Sequence, residues 1–157
     1  MFSEIELGEM LANSALLLQR TTRRVTKMYD RVLGAVGLTA NQFGLLASLV
    51  AMSARGLDAP SMGLVAEQMG MDPTTLNRNS KRLQDSGLIR VTNSHADKRV
   101  HTIRITKAGA AKFMEALPIW REAQAQLDEA LGIEARLALN DLLTLMDERL
   151  TSKGATP

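Results

Sequence analysis

Between residues 4 and 35 the apolar positions recur on one helix face: Leu11, Leu18, Val25 and Val32 lie seven apart, and Leu7, Leu17, Met28 and Tyr29 widen the stripe. No proline interrupts the run, which predicts a single long helix closed by Gly34 and Gly37. Thr39-Ala40-Asn41-Gln42 is a capping box and opens a second helix through Leu45, Leu46, Leu49 and Val50. After a connector from Ser53 to Pro60, Ser61 caps a short helix with Leu64, Val65 and Met69 on one face, and Gly70 stops it. Asp72 as N-cap, with Pro73 at the first helical position, starts the next helix, whose inward residues Leu76 and Leu83 are seven apart. Gln84-Asp85-Ser86-Gly87 ends it, with Gly87 at the site that needs positive φ.

The period then changes from that of a helix to that of a strand. Leu88–Thr92 and Val100–Thr106 alternate, with Ile89/Val91 and Ile103/Ile105 on one side. Asn93-Ser94-His95-Ala96-Asp97-Lys98-Arg99 between them is too polar to bury and too long for a tight turn, so it reads as a protruding wing. Thr106 caps a further helix through Ala111, Phe113, Met114 and Leu117. Pro118 cannot donate to the Met114 carbonyl and predicts a kink, with helix resuming through Trp120, Ala123, Gln124 and Leu127. Leu131-Gly132-Ile133 breaks the pattern, and a last helix from Glu134 to about Leu150 carries Leu139, Leu142, Leu143, Met146 and Leu150. Lys153 to Pro157 reads as a frayed tail.

Two helices joined by about three residues, the second lined with Thr74, Thr75, Asn77, Arg78, Asn79, Lys81 and Arg82, match a helix-turn-helix. Asn can pair bidentately with adenine and Arg with guanine, Lys meets phosphates, and Thr bonds a base edge or packs its methyl on thymine. A merely solvated helix face is the alternative; the wing that follows argues against it.

With the helix and the wing in view, the chain resembles the MarR family of winged-helix transcriptional regulators. The resemblance is carried by Asp72-Pro73-Thr74-Thr75-Leu76-Asn77-Arg78, by Leu83-Gln84-Asp85-Ser86-Gly87-Leu88-Ile89, and by Asp97-Lys98-Arg99 leading into Ile105-Thr106-Lys107-Ala108-Gly109. One departure is Ile105 where leucine is usual. These motifs lie between Ser61 and Gly109, although the resemblance in architecture spans nearly the whole chain. It implies that Leu57-Asp58-Ala59 forms a third, short strand beside the wing hairpin, that the second helix reads the major groove, that Arg99 enters the adjacent minor groove, and that a salt bridge from Asp97 orients it. A guanidinium there responds to the enhanced potential of a narrow groove more than to base identity. The candidate DNA-binding set is therefore Ser61, Thr74, Thr75, Asn77, Arg78, Asn79, Lys81, Arg82, Asp97, Lys98 and Arg99.

The expected fold is mainly α with a small β-hairpin wing, in one domain over 1–157: a winged helix-turn-helix lobe over 39–106 and dimerisation helices over 4–35 and 107–150. The terminal helices carry more apolar surface than the lobe can cover, which predicts a homodimer on double-stranded DNA with a pseudo-palindromic operator. The resemblance also implies a small effector, often an aromatic or phenolic anion, between the dimerisation helices and the lobe. Tyr29 and Trp120, the only Tyr and Trp, are the candidate contacts, with an ordinary interface role as the alternative.

Composition sharpens this picture. The chain has 157 residues, 45% apolar and 23% charged, ordinary values for one globular domain. The net charge of +2 is unevenly spread: residues 70–112 hold nine Lys/Arg against three Asp/Glu (+6), residues 1–69 six of each, and residues 113–157 four against eight (−4). The basic third coincides with the reading helix and wing. Arg20, Arg23, Arg24, Lys27 and Arg31 add a basic stretch on the first helix, either a solvated face or an approach to DNA or an anion. With no cysteine, disulfides and a thiol redox switch, used by some members of the family, are excluded. An acidic N-terminus and no apolar run of about 18 residues predict a cytosolic protein without membrane contact.

Enzyme chemistry finds no support. His95 and His101 are the only histidines, and with Asp97 they form a poor metal site at a solvent-facing hairpin. No glycine-rich phosphate cradle follows a strand and no nucleophile has a base beside it, so neither cofactor nor catalytic residue is expected. The nine methionines fill core gaps or line an adaptable pocket. The remaining rival is a winged-helix module that binds protein and never reads DNA; it would carry exposed aromatic and aliphatic side chains on its reading face, where this chain has Asn, Thr and Arg.

Overall fold

The computed structural model describes Glu4, Gly8 and residues 13–94 and 97–154. Leu7, Leu11, His95, Ala96 and the tail beyond Gly154 lie outside the described residues. Elements follow in the order α1 (Ser14–Leu33), a 3-10 turn (Gly34–Val36), α2 (Ala40–Ala54), α3 (Met62–Gln68), α4 (Pro73–Asp85), β1 (Ile89–Asn93), β2 (His101–Ile105), α5 (Lys107–Leu131) and α6 (Ile133–Gly154). By packing the chain divides into two units, Met1–Trp120 and Arg121–Pro157, so the boundary falls within α5.

In the first unit the core gathers Leu33 from α1, Leu45 and Leu46 from α2, Val65 from α3, Leu76 and Leu83 from α4, and Ile103 from β2, all fully buried. Phe43 stacks on Phe113 at 5.4 Å and on Trp120 at 5.9 Å, so the first half of α5 closes over α2. The predicted period-two alternation is present: Ile89 pairs with Ile105 and Val91 with Ile103 in an antiparallel hairpin.

Local signals placed most of the boundaries. The Thr39 hydroxyl accepts from the Gln42 N–H at 3.2 Å while the Gln42 side chain accepts from the Thr39 N–H at 3.0 Å, the reciprocal capping box. Asp30, on α1, also accepts from the Ala40 N–H at 2.7 Å and fixes the entry of α2. Thr106 links hairpin to helix: its hydroxyl lies 2.8 Å from the Gly87 carbonyl and 3.0 Å from that of Leu88, and it accepts from the Gly109 N–H at 3.0 Å. Gly109 packs so closely on the base of the hairpin that a Cβ would overlap the Leu88 carbonyl oxygen and approach the Ile105 side chain to 2.9 Å.

Four expectations need correction. Within the described residues α1 begins at Ser14, because the Asn13 side chain accepts from the Ala15 and Leu16 N–H groups and caps it, rather than running unbroken from residue 4. Leu64 does not share the inner face of α3: Val65 and Ala66 are buried, while Leu64 is 41% exposed. The extra rung beside the hairpin is made by Pro60 and Ser61 and not by Leu57-Asp58-Ala59, with the Ile103 N–H donating to the Pro60 carbonyl at 3.0 Å and Ser61 bridged to Thr102. The last helix starts at Ile133 and reaches Gly154, so the expected frayed tail is helical at its beginning.

In the second unit Gly132, at φ +81°, turns the chain between α5 and α6, and an Arg136–Asp128 ion pair spans the turn. Helix α5, Lys107–Leu131, contains Pro118 within a continuous helical stretch. Helix α6 is apolar on several sides. Besides the predicted Leu139, Leu142, Leu143, Met146 and Leu150, it also exposes Ile133, Leu137 and Leu145. No single helix among the described residues is long and apolar enough to cross a membrane.

Candidate nucleic-acid interface

Helix α4 is presented by two matched chain reversals. At the end of α3 the Met71 N–H donates to the Ala66 carbonyl at 2.9 Å and the Gly70 N–H to that of Glu67 at 3.1 Å, with Gly70 at φ +57°. At the end of α4 the same pattern recurs, Leu88 to Leu83 and Gly87 to Gln84, both at 2.9 Å, with Gly87 at φ +72°. The start of α4 is fixed by Asp72, which accepts from the Thr74 N–H at 2.9 Å, the Thr75 N–H at 3.0 Å and the Thr75 hydroxyl at 2.5 Å. The Thr75 hydroxyl, and then its N–H, hold the Asp72 carboxyl below its ordinary value, so the cap stays charged at neutral pH.

With Leu76, Ser80 and Leu83 buried, a turn of 100° per residue puts Thr74, Arg78 and Lys81 at the middle of the opposite face, all exposed. Asn77 and Arg82 flank them and are exposed too. Thr75 and Asn79 are half-buried, and the Thr75 hydroxyl is committed to Asp72, which leaves Thr75 its methyl for a groove contact. The Ser80 hydroxyl is buried without a hydrogen-bond partner among the described residues. Ser61 caps α3 by accepting from the Leu64 N–H at 3.1 Å, so its own hydroxyl proton remains available.

The wing is closed by the Ser94 N–H donating to the Val100 carbonyl at 2.7 Å and the Val100 N–H to that of Asp97 at 2.9 Å. One Asp97 oxygen accepts from the Arg99 N–H at 2.9 Å and from its Nε at 3.2 Å, and the other accepts from Nη2 at 3.4 Å. The Arg99 side chain is 91% exposed even so. Hydrogen bonds from the Arg99 backbone N–H, then from its guanidinium, hold the Asp97 carboxyl below its ordinary value. Lys98 is exposed beside them. The wing thus presents a solvent-facing guanidinium hydrogen-bonded to Asp97.

Tyr29 and Trp120, the candidate effector contacts, both pack on the core. Trp120 belongs to the Phe43–Phe113 stack and Tyr29 packs, half-buried, on the same core. Neither lines the cleft of about 870 Å³ formed by Leu38, Gln42, Arg82, Asp85, Lys112 and Glu115 with their neighbours. Among the described residues no group of histidines and carboxylates has the geometry to hold a metal. Arg90 and Arg104 were not among the expected contacts. The alternation that buries Ile89 and Ile103 exposes both of them, although no part of the family motif points to either.

Comparison with known proteins agrees with this geometry. The family model described as MarR matches residues 38–101. The organic hydroperoxide resistance transcriptional regulator of Bacillus subtilis is 33% identical over 103 residues, which is 66% of this chain and 67% of the relative. Among solved structures, the M. tuberculosis transcriptional regulator MosR in complex with DNA is 28% identical, with a TM-score of 0.73 over 89% of this chain and 97% of that one. BpsR of Bordetella bronchiseptica, whose DNA binding is regulated by 6-hydroxynicotinic acid, is 26% identical, with a TM-score of 0.73 over 87% and 94% of the two chains. Motif, fold and relatives converge, and the chain belongs to the MarR family of DNA-binding transcriptional regulators rather than to any class of enzyme.

Proposed function

We propose that this regulator is a cytoplasmic homodimeric repressor that holds a pseudo-palindromic operator and is released from it by a small aromatic or phenolic ligand. The observation that carries the DNA reading is the pairing of an exposed Thr74/Arg78/Lys81 face with a wing whose Arg99 is held by Asp97. Base edges would be read by Arg78 and Asn77, phosphates by Lys81, Arg82, Lys98 and Ser61, and groove width by Arg99.

The dimer is supported by α6, where Leu142 is 59% and Leu150 65% exposed within a single chain. So many exposed leucines on one helix exceed what a soluble monomer ordinarily leaves uncovered. A two-fold arrangement would set two α4 helices about 34 Å apart, one turn of duplex. The ligand reading is supported by BpsR, regulated by 6-hydroxynicotinic acid. The chain has no cysteine, so its release from DNA does not run through a thiol.

Selection of genomic fragments on the purified protein tests the proposal. Enrichment of a pseudo-palindrome, followed by its release when an aromatic carboxylate quenches the single tryptophan, is the expected result. Recovery of fragments without a common site would refute sequence-specific binding, and retention of the operator at saturating tryptophan quenching would refute release by that ligand.

A further inference from the structure

The outward face of the hairpin carries a second set of cations, away from both α4 and the wing tip. Strand side chains alternate between faces, so the register that turns Ile89, Val91, Ile103 and Ile105 inward puts Arg90 and Arg104 outward, directly opposite one another and both exposed. Like charges in opposed cross-strand positions destabilise a hairpin. Lys107, the first residue of α5, joins them in a cleft of about 640 Å³ completed by Thr92, Asn93, Ile105 and Thr106. No carboxylate lines that cleft.

Ion pairs elsewhere do not relieve the repulsion. Among the described residues they join Arg99 to Asp97, Lys112 to Glu115 and Arg136 to Asp128. Asp58 shares a small neighbouring cleft with Arg104 but accepts from the Ser53 hydroxyl at 2.5 Å and forms no ion pair with the arginine. Three unneutralised cations, two with planar forked donors, fit phosphate oxygens.

We propose that Arg90, Arg104 and Lys107 bind backbone phosphates of duplex flanking the operator, beyond the base pairs read by α4 and Arg99. This rests on the DNA-binding reading above. Arg104 lies three residues along β2 from His101, about 10 Å at the rise of a strand, and five residues in sequence from Arg99, so the cluster is set back from the wing tip. An open cleft on the same hairpin as the groove-reading arginine suits a continuing polymer rather than an enclosed small anion.

The experiment compares two duplexes, one ending at the borders of the pseudo-palindrome and one extended by about ten base pairs of arbitrary sequence on each side, one helical turn. The proteins are the full chain and its Arg90→Gln/Arg104→Gln/Lys107→Gln variant. The wild type should bind the longer duplex at least about tenfold more tightly. Its salt slope should be steeper there by about 0.9 for each additional phosphate neutralised, up to about 5 for the six cations of a dimer. The variant should keep wild-type affinity for the short duplex, lose the length dependence, and melt no lower than the wild type because a like-charge pair has been removed. The proposal is overturned if the wild type shows no length dependence, if the variant retains it, or if the variant loses short-duplex binding to the same degree. A melting temperature raised by millimolar inorganic phosphate only in the wild type, without any length dependence, would make the cluster a small-anion site and also overturn the proposal. Equal binding of operator and scrambled duplexes would instead refute the parent reading.

Discussion

Replacing Asp97 with alanine sets two physical effects against one another and so tests what the wing is built to do. Removing a negative charge close to DNA should by simple electrostatics tighten binding. In the structure, however, the same carboxylate accepts three hydrogen bonds from Arg99, at 2.9, 3.2 and 3.4 Å, and the Arg99 side chain is otherwise 91% exposed. Without Asp97 the guanidinium must be immobilised at the moment of binding, a cost that corresponds to roughly a two- to tenfold loss of affinity for one flexible side chain. The gain from the lost charge is smaller because solvent ions screen it within about 10 Å at 0.1 M salt. Asp97→Ala should therefore weaken operator binding, measured by fluorescence anisotropy at fixed salt, and Arg99→Ala should weaken it more. In the Arg99→Ala background the Asp97 change should produce no further loss, since the carboxylate acts through the arginine. Because the Asp97 carboxyl is held below its ordinary value of 3.8, the ordering is present above that value and lost as the pH falls through the lowered one. The effect should be flat across neutral pH. Tighter operator binding by Asp97→Ala would show the carboxylate to be only a repelling charge.

Three further outcomes follow from packing. Gly109→Ala should destabilise the protein by about 3 kcal/mol, since the new methyl meets the backbone at Leu88; a thermal melt within 1 °C of wild type would refute the close approach. Ser80→Ala should stabilise it by about 1 kcal/mol, raising the melting temperature by roughly 2–4 °C, because it removes a buried hydroxyl without a hydrogen-bond partner and substitutes a better helix former. Asp at both Leu142 and Met146 should give monomers or aggregates by sedimentation, as charges buried without partners oppose association; an intact dimer would place the interface elsewhere.

The sequence was most legible where a side chain caps a helix or where period alone decides. Ser61, Asp72-Pro73, Thr39 with Gln42, and Thr106 all act through hydrogen bonds spanning a few residues, and each appears where the pattern put it. The shared face of the hairpin followed from alternation of Ile89, Val91, Ile103 and Ile105. What failed depended on longer-range packing. Leu64 is apolar and at helical spacing, yet whether α3 turns it inward is settled by α4 and β2, which take Val65 and Ala66 instead. The third rung of the sheet falls at Pro60–Ser61, where an acceptor carbonyl is offered to Ile103, although Leu57-Asp58-Ala59 has no less strand character. In the site, Thr74, Asn77, Arg78, Lys81 and Arg82 are exposed on α4 as the helical period implies, whereas Thr75 and Asn79 are half-buried, and the internal commitment of the Thr75 hydroxyl is visible only in the cap geometry. The Arg90–Arg104 opposition required the register as well as the alternation.

The central claim is that α4 reads base sequence, and the ratio of operator affinity to non-specific affinity in wild type, Arg78→Ala and Lys81→Ala tests it most directly. Arg78, exposed at the middle of the α4 face, should account for about 1–3 kcal/mol of discrimination, so its removal should lower the ratio by roughly 5- to 150-fold. Lys81→Ala should weaken both affinities alike, leave the ratio unchanged and reduce the salt slope by about one. A ratio unchanged by Arg78→Ala would contradict direct readout by this helix.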